Sequence, residues 1–125
     1  MTIELTLPGP PRSKKNHTRR TRSGAQIQSE AYCRYETDCL WLIPVSAKLR
    51  LDRPVNCKML YYMPTHGIVD LVGLQQGTLD ILVKAGVLAD DNSRIVASCD
   101  GSRVLYDKMR PRCEILIEEV DGDDK

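Results

Sequence analysis

The sequence predicts a single small domain of the α/β (α+β) class, with a mixed sheet packed on two helices. A chain of 125 residues is the size of one domain, and its hydrophobic content of 42% suffices for one core. Short runs in which apolar and polar residues alternate are interleaved with two longer runs of helical periodicity. Their order along the chain, β-α-β-α-β-β, is typical of a single mixed sheet.

The first half of the chain contains a predicted strand, a loop and a helix. Ile3, Leu5 and Leu7 alternate with polar residues, and the prolines of PGPP end this strand because proline cannot continue a ladder. A helix is expected from Ser29, a good capping residue, to about Leu42. Its buried side is predicted to carry Tyr32, Tyr35, Cys39 and Leu42.

The second half begins with a predicted strand over about residues 55–63, followed by a turn-rich connection. A second helix is expected over about residues 71–85, where Gly86 provides a suitable stop. Strands over about residues 94–99 and 112–120 complete the sheet. Residues 1–120 therefore form the predicted domain, and residues 121–125 form an acidic tail.

The second helix has an unusual distribution of residues. At 100° per residue, its apolar side chains cover one wide arc centred near Leu82, and the narrow remainder includes Gly73 and Gly77. A glycine in a helix interior costs about 1 kcal/mol relative to alanine. The two glycines therefore indicate a close approach to the backbone, either by a partner helix or a DNA phosphate, or by a strand packed over the helix.

The cysteine pattern and the hydropathy of the chain restrict the classes of protein to which it can belong. The five cysteines are scattered, odd in number and without a CxxC pair, and there are only two histidines. This pattern favours free thiols in a reducing cytosol over a disulfide framework or a zinc cluster. No run approaches the roughly 18 apolar residues of a membrane helix, and the N-terminal segment lacks the features of a signal peptide. A cytoplasmic protein without a membrane contact is expected.

The net charge of +1 conceals two segments of opposite charge. Six cationic side chains and no acid lie between Arg12 and Arg22, and five acids and no base lie between Glu118 and Asp124. The basic segment can bind phosphates or form a solvated arm. The acidic segment is typical of a disordered, solubilising end.

Acidic residues flank the second helix. Asp70 precedes it, Asp90 and Asp91 follow it, and Asp100 lies further on, before Gly101. An aspartate before a helix can cap the first turn, and aspartates in loops are common turn residues. Carboxylates are also the ligands that Mg²⁺ prefers. The residues alone leave both explanations open.

Nearly the whole chain resembles the RusA-like family of Holliday-junction resolvases, or crossover junction endodeoxyribonucleases. The similar residues are LTLPGPPRSKKN around the first turn, VDL, LQ, LD, AG and DD spaced through residues 69–91, and PRCEILI in the last strand. The spacing from Asp70 to Asp91 matches that of the family, as do Asp80, Gly86 and Asp90 between them. The resemblance implies that residues 1–120 are a bacterial or phage endonuclease domain that cleaves four-way DNA junctions as a homodimer in recombination and repair.

The same resemblance implies a metal site. Asp70 and Asp91 are expected to hold Mg²⁺, with Mn²⁺ as a substitute, against a phosphodiester. The chain has Val72, Gly73 and Gln76 where the best-known members of the family carry an aspartate, an asparagine and a catalytic lysine.

A third carboxylate is predicted to come from Asp100, with Asp90 as a reserve or supporting acid. The helix is roughly 23–25 Å long, which holds Asp70 and Asp91 apart. A strand that runs back along the helix would return Asp100 towards Asp70. Asp91 would join if two chains packed antiparallel about a two-fold axis, or if its loop folded inward. A symmetric dimer is expected because a four-way junction has two equivalent cleavage points.

The predicted DNA contacts follow the first turn or lie near Asp100. The cationic and amide side chains assigned to DNA are Lys14, Lys15, Asn16, Arg19, Arg20, Arg103 and Lys108. Arg103 and Lys108 are expected to neutralise a phosphate in place of the absent lysine at position 76. His66 is interpreted as a base, a DNA contact, or an ordinary loop residue with neither role.

Two other functions are compatible with the sequence. Val72 and Gln76 favour a catalytically weakened or inactive relative that still binds DNA junctions. An unrelated cytosolic protein-interaction domain would have no affinity for DNA at moderate salt concentration.

Overall fold

The secondary structure comes from a computed structural model, which describes residues 1–13, 18–20, 26–28 and 30–120, the two short segments by their backbone alone. The elements in chain order are β1 (Thr2–Pro8), β2 (Thr18–Arg20), β3 (Gln26–Gln28), α1 (Glu30–Leu42), β4 (Val55–Met63), α2 (Leu71–Lys84), β5 (Val96–Ser98), β6 (Arg103–Tyr106) and β7 (Arg112–Glu119). The acidic tail, residues 121–125, lies outside the described residues.

The main sheet is mixed and has five strands. Strand β7 lies between β1 and β4 and is antiparallel to both, and β5 and β6 pair parallel with the other edge of β4. Strands β2 and β3 form a separate antiparallel pair in a segment predicted as a loop. The predicted class, one small α+β domain with a mixed sheet and two helices, is confirmed.

One face of the sheet is buried under the helices. Along β1 and β4, buried and more exposed positions alternate strictly, so each strand contributes every second side chain to the core. The register places Leu5 and Met59 on either side of Ile115 in β7. The opposite face carries partly exposed residues such as Lys58, Leu60 and Glu114.

Helix α1 covers part of the core with Tyr32, Tyr35 and Cys39, as the periodicity predicts. The prediction for Leu42 is wrong, because this side chain is 55% exposed. The helix ends at Leu42, and the next residue, Ile43, points into the core instead. Pro44 follows and prevents the helical direction from continuing.

The predicted buried face of α2 is confirmed in part, because Leu74, Ile81 and Leu82 are buried as expected whereas Val72 is not. The buried residues are Gly73, Leu74, Gly77, Thr78, Ile81 and Leu82. Val72, predicted to be buried, is 69% exposed. The buried stripe is turned by roughly 90° from the predicted one, towards the glycines. The Tyr32 hydroxyl of α1 lies 3.4 Å from the Gly77 carbonyl oxygen, so the close approach is made by a neighbouring helix of the same chain.

A buried polar link joins α2 to the sheet. The Tyr61 hydroxyl in β4 and Thr78 Oγ1 in α2 are 2.8 Å apart and hydrogen-bonded, and Thr78 Oγ1 also donates to the Leu74 carbonyl at 3.0 Å. Burial raises the pKa of Tyr61 far above its ordinary value, so its hydroxyl stays protonated. This link fixes the rotation of α2 over the sheet.

The strand predicted at residues 94–99 is confirmed only over Val96–Ser98. Strand β5 is only three residues long, and Gly101, whose φ is 89°, forms a turn before β6 continues along β4. A left-handed backbone of this kind is favourable for glycine. The strand β6 was not predicted, because its residues read as a loop after DGSR.

The thiol groups agree with the cysteine pattern, which favours free thiols over a disulfide framework. All five cysteines are free, and burial raises the pKa of Cys39 to about 11 and that of Cys57 to about 12. Thiols with such pKa values are poor nucleophiles at neutral pH. Within the described residues, neither helix is long and apolar enough to cross a bilayer.

Candidate active site at the start of helix α2

Asp70 occupies the capping position of α2 but does not cap it. Its backbone is extended, with φ −90° and ψ 101°, and its carbonyl oxygen accepts the first helical hydrogen bond from the Leu74 N–H at 3.0 Å. The Asp70 side chain makes no capping hydrogen bond to the helix, although every residue of α2 is described. Capping of the first turn therefore does not explain this half-buried carboxylate.

Ser13 lies against the same turn of the helix. A Cβ atom built on Gly73 would be 2.3 Å from Ser13 Oγ and 3.0 Å from Asp70 Oδ2. The hydroxyl and the carboxylate therefore flank one backbone position, and only glycine leaves room for both. Ser13 is 7% exposed, and its buried hydroxyl has no hydrogen-bond partner. Sequence reasoning assigned the basic residues after Ser13 and overlooked Ser13 itself.

The acids beyond the other end of α2 have different surroundings. Asp90 Oδ1 accepts a hydrogen bond from the Asp91 N–H at 2.7 Å, and Asp90 Oδ2 accepts one from Asn92 Nδ2 at 3.1 Å. The backbone hydrogen bond from Asp91 and then the one from Asn92 lower the pKa of Asp90. Asp90 therefore has a complete explanation as a turn residue, whereas Asp91 is exposed beside it.

A shallow depression of about 290 Å³ lies beside the last turns of α2. Its lining residues are Asp80, Val83, Lys84, Asp90 and Asp91. The Lys84 ammonium group contacts both carboxylate oxygens of Glu36 at 3.0 Å, which ties this end of α2 to α1.

Asp100 does not return to the start of α2. The Asn56 side chain holds its backbone, accepting from the Asp100 N–H at 2.7 Å and donating to the Asp100 carbonyl at 3.1 Å. Asn56 is the second residue of β4, whereas the chain reaches Asp70 only after the last residue of that strand. The expected return of Asp100 towards Asp70 is therefore wrong. The part of the chain that does return is β6, after which the Asp107 N–H donates to the Met63 carbonyl at 2.9 Å.

The predicted carboxylates do not form one group within a chain. Helix α2 has 14 residues and is about 21 Å long, so Asp70 and Asp91 lie at opposite ends of it. Within residues 1–13 and 30–120, no three His, Cys, Asp or Glu side chains are close enough together to hold a metal ion. Assembly of Asp70, Asp91 and Asp100 would therefore require a second chain.

The predicted DNA contacts are described only in part. Residues 14–16 lie outside the described residues, and Arg19 and Arg20 are placed in β2 without their side chains. Arg103 is exposed on β6, opposite Leu60 of β4, and Lys108 is exposed in the turn before β7.

Lys58 is the cation that contacts the turn after Asp100. A Cβ atom on Gly101 would lie 3.1 Å from Lys58 Cδ, so this side chain runs along the turn. Sequence spacing gave no sign of the contact, because Lys58 reaches Gly101 only through the pairing of β4 with the strands beside it.

An aromatic pair and an ion-pair cluster occupy the end of the sheet from which the chain leads to Asp70. The His66 and Tyr106 rings stack with centroids 3.7 Å apart and planes inclined by 21°. Arg112 contacts Asp107 and Glu114 at 2.8 Å each, and its bond to Asp107 is the main reason why the pKa of Asp107 is lowered. Asp107 is therefore a structural acid, and His66 is exposed beside Tyr106.

Comparison of the chain with protein-family models gives no match, and a search of curated proteins gives none either.

Proposed function

We propose that the protein is a metal-dependent, structure-specific endonuclease that cleaves Holliday junctions and related branched DNA as a homodimer. It would act in recombination and repair in the cytoplasm of a bacterium, encoded by the bacterium or a phage. The observation that carries the proposal is the half-buried Asp70 carboxylate, which stands at the capping position of α2 without capping it. The resemblance of the sequence to the RusA-like family supports the same function.

The donor atoms at the start of α2 suit Mg²⁺, with Mn²⁺ as a substitute. Asp70 and Ser13 present a carboxylate and a hydroxyl, and both are hard oxygen donors. Mg²⁺ is usually bound through one or two carboxylates together with waters and substrate phosphates, so a large cluster of acids is not required. The bound ion supplies charge neutralisation at the phosphate and lowers the pKa of water. Asp70 would hold the ion against the phosphodiester.

The arrangement of the acids supports the proposed homodimer. Asp70 and Asp91 are separated by the length of α2, so a site that uses both needs Asp91 of the partner subunit. Two copies of α2 packed antiparallel about a two-fold axis would place two such sites symmetrically, one for each cleaved strand. Exposed Arg103 and Lys108, with the basic segment of residues 12–22, would bind the DNA backbone and position it.

The direct test is Asp70→Asn, assayed by Mg²⁺-dependent nicking of a synthetic four-way junction. We expect cleavage to fall by roughly 100-fold or more, because the contribution of a metal ligand is several kcal/mol. Junction binding measured without a divalent cation should stay within about threefold, since phosphate contacts dominate it. Asp52→Asn, a change at an exposed acid, is the matched control. Wild-type cleavage by Asp70→Asn would overturn the assignment.

Val72 favours a second candidate function, a catalytically weakened or inactive protein that binds DNA junctions. Its apolar side chain is 69% exposed on the solvent side of α2, where the resembling family carries an acid, and it cannot hold a cation. Gln76 lies on the same side of the helix one turn further on. Junction binding that weakens steeply with salt, without nicking in Mg²⁺ or Mn²⁺, would select this function over the first.

A further inference from the structure

The buried hydroxyl of Ser13 is the least explained polar group of the described residues. Protein structures rarely leave a buried side-chain oxygen without a hydrogen-bond partner, and Ser13 Oγ is the one such atom in the part of the chain that the structure describes. It is packed against the first turn of α2 and has no contact with a donor or acceptor there. An alanine at this position would fill nearly the same space without an unpaired oxygen.

The surroundings of this hydroxyl indicate what it binds. Ser13 Oγ and Asp70 Oδ2 lie on either side of the position that a Cβ of residue 73 would occupy, at 2.3 and 3.0 Å from it. Two oxygen atoms, one of them charged, therefore lie near each other beside the face of the helix where position 73 has no side chain. An anion alone is disfavoured beside the Asp70 carboxylate, whereas a hard divalent cation is attracted to both oxygens.

We propose that Ser13 Oγ is a second protein ligand, beside Asp70, of the divalent cation at the start of α2. Gly73 is required for this site because any side chain there would collide with the Ser13 hydroxyl. The inference rests on the proposed function, which places the cation at Asp70. It adds to that function a neutral ligand and the reason for a glycine in the first turn of the helix.

This ligand set also predicts coupling between the cation and DNA. The N-terminal end of a helix carries a partial positive charge, which opposes a cation, and only one of the two ligands is anionic. The remaining coordination positions are left to water and a phosphate. The cation should therefore bind weakly to the protein alone and more tightly in its complex with a four-way junction.

The test is Mn²⁺ binding by the full chain, followed by the electron paramagnetic resonance of free Mn²⁺. Titrations are made with and without a four-way junction, and the junction alone is subtracted. Ser13→Ala and Gly73→Ala should each weaken Mn²⁺ binding by about tenfold or more, the range found for groups that support metal sites. Ser46→Ala, at an exposed serine, and Gly67→Ala, where a Cβ has only an ordinary contact at 3.5 Å, are the matched controls.

Ser13→Cys tests ligation independently of any loss of folding. A thiolate prefers soft ions, so this variant should gain affinity for Cd²⁺ relative to Mn²⁺ when compared with the wild type. A residue that only fills space would not alter this preference. Far-ultraviolet circular dichroism of each variant establishes that it is folded.

The outcomes separate this inference from the proposed function. Wild-type Mn²⁺ binding by Ser13→Ala, with no gain for Cd²⁺ in Ser13→Cys, overturns the inference. If Asp70→Asn weakens Mn²⁺ binding in the same series, the proposed cation site at Asp70 stands without Ser13. If Asp70→Asn also binds Mn²⁺ like the wild type, both the ligand assignment and the proposed metal site fail.

Discussion

The two ends of α2 carry acids that look alike in the sequence and differ in the fold. Beyond the C-terminal end, the Asp90 carboxylate accepts hydrogen bonds from its own turn. The leucines at this end, Leu82 in the helix and Leu88 after it, are almost fully buried. At the N-terminal end, Asp70 does not cap the helix, and an unpartnered hydroxyl lies beside it. The two ends therefore differ in what the aspartate does for its own backbone: Asp90 stabilises its turn, whereas Asp70 makes no capping hydrogen bond to α2.

The largest expected effect concerns whether the two ends act together across a dimer. Asp70→Asn and Asp91→Asn should each lose roughly 100-fold or more of the junction-nicking rate. If a site combines Asp70 of one chain with Asp91 of the partner subunit, a mixed dimer of the two variants keeps one intact site. Equilibrated mixtures should then recover about a quarter of the wild-type rate, because half of the dimers are mixed.

Failure of the mixture to recover activity would break the proposed pairing of the two ends. Each active site would then consist of residues from one chain, or Asp91 would act outside the active site. The control is a mixture of either variant with Asp70→Asn/Asp91→Asn, which contains no intact site and should stay inactive.

A second prediction compares packing at the two ends. Leu82 is fully buried, so Leu82→Ala should lower the free energy of unfolding by about 2–5 kcal/mol. Leu71, in the first turn, is only partly buried, and Leu71→Ala should have a distinctly smaller effect. Urea unfolding followed by circular dichroism measures both. Equal losses would show that the start of α2 is as firmly packed as its end.

A third prediction concerns the glycine that ends α2. Gly86 has φ 82°, and a Cβ there would meet nothing closer than 3.9 Å, so the cost of a side chain comes from the backbone alone. Gly86→Ala should destabilise the fold by about 1–2 kcal/mol. Gly67→Ala, before the other end, lacks this constraint and should be close to neutral in the same denaturation assay. A neutral Gly86→Ala would contradict the left-handed backbone.

The smallest expected effect is the pH dependence of Asp90. Its folded-state pKa is lowered below the unfolded value, so its contribution to stability is present above that value and is lost as the pH falls through the folded pKa. The melting temperature of Asp90→Asn should lie slightly below that of the wild type at pH 7, and the two should converge as the pH falls below the folded-state pKa of Asp90. Asp52→Asn is the control. A difference that persists or grows in acid would contradict this role.

The sequence predicted most elements of the fold because hydrophobic periodicity dominates them. The alternation of Ile3, Leu5 and Leu7 defines β1, and α2 ends within one residue of its expected position before Gly86. The rotation of α2 was not predictable in the same way. Gly73 and Gly77 carry no apolar side chain, yet they are buried because α1 and Ser13 approach them closely.

The sequence identified candidate residues such as Asp70, but it did not show which of them lie close together in the fold. The position of Asp70 before a helix follows from the local sequence pattern. Whether its side chain makes a capping hydrogen bond depends on tertiary structure, and the pattern does not predict it. Ser13 and Lys58 reach their neighbours through tertiary packing and strand pairing, so no spacing in the chain reveals them. Asp100 was misplaced because its return assumed an extended chain from Asp91 to Asp100, whereas residues 92–95 form a turn and β5 has only three residues.

The position of β7 between β1 and β4 also sets the order in which the molecule is able to fold. Strand β1 pairs only with β7 within the described sheet, and more than 100 residues separate Thr2 from its partner Glu118. Such a long-range pairing closes late, because the entropy of a large loop must be lost before the contact forms. On the ribosome, β1 must therefore wait for β7, and the sheet that supports the start of α2 is completed only after residues 112–119 have been synthesised.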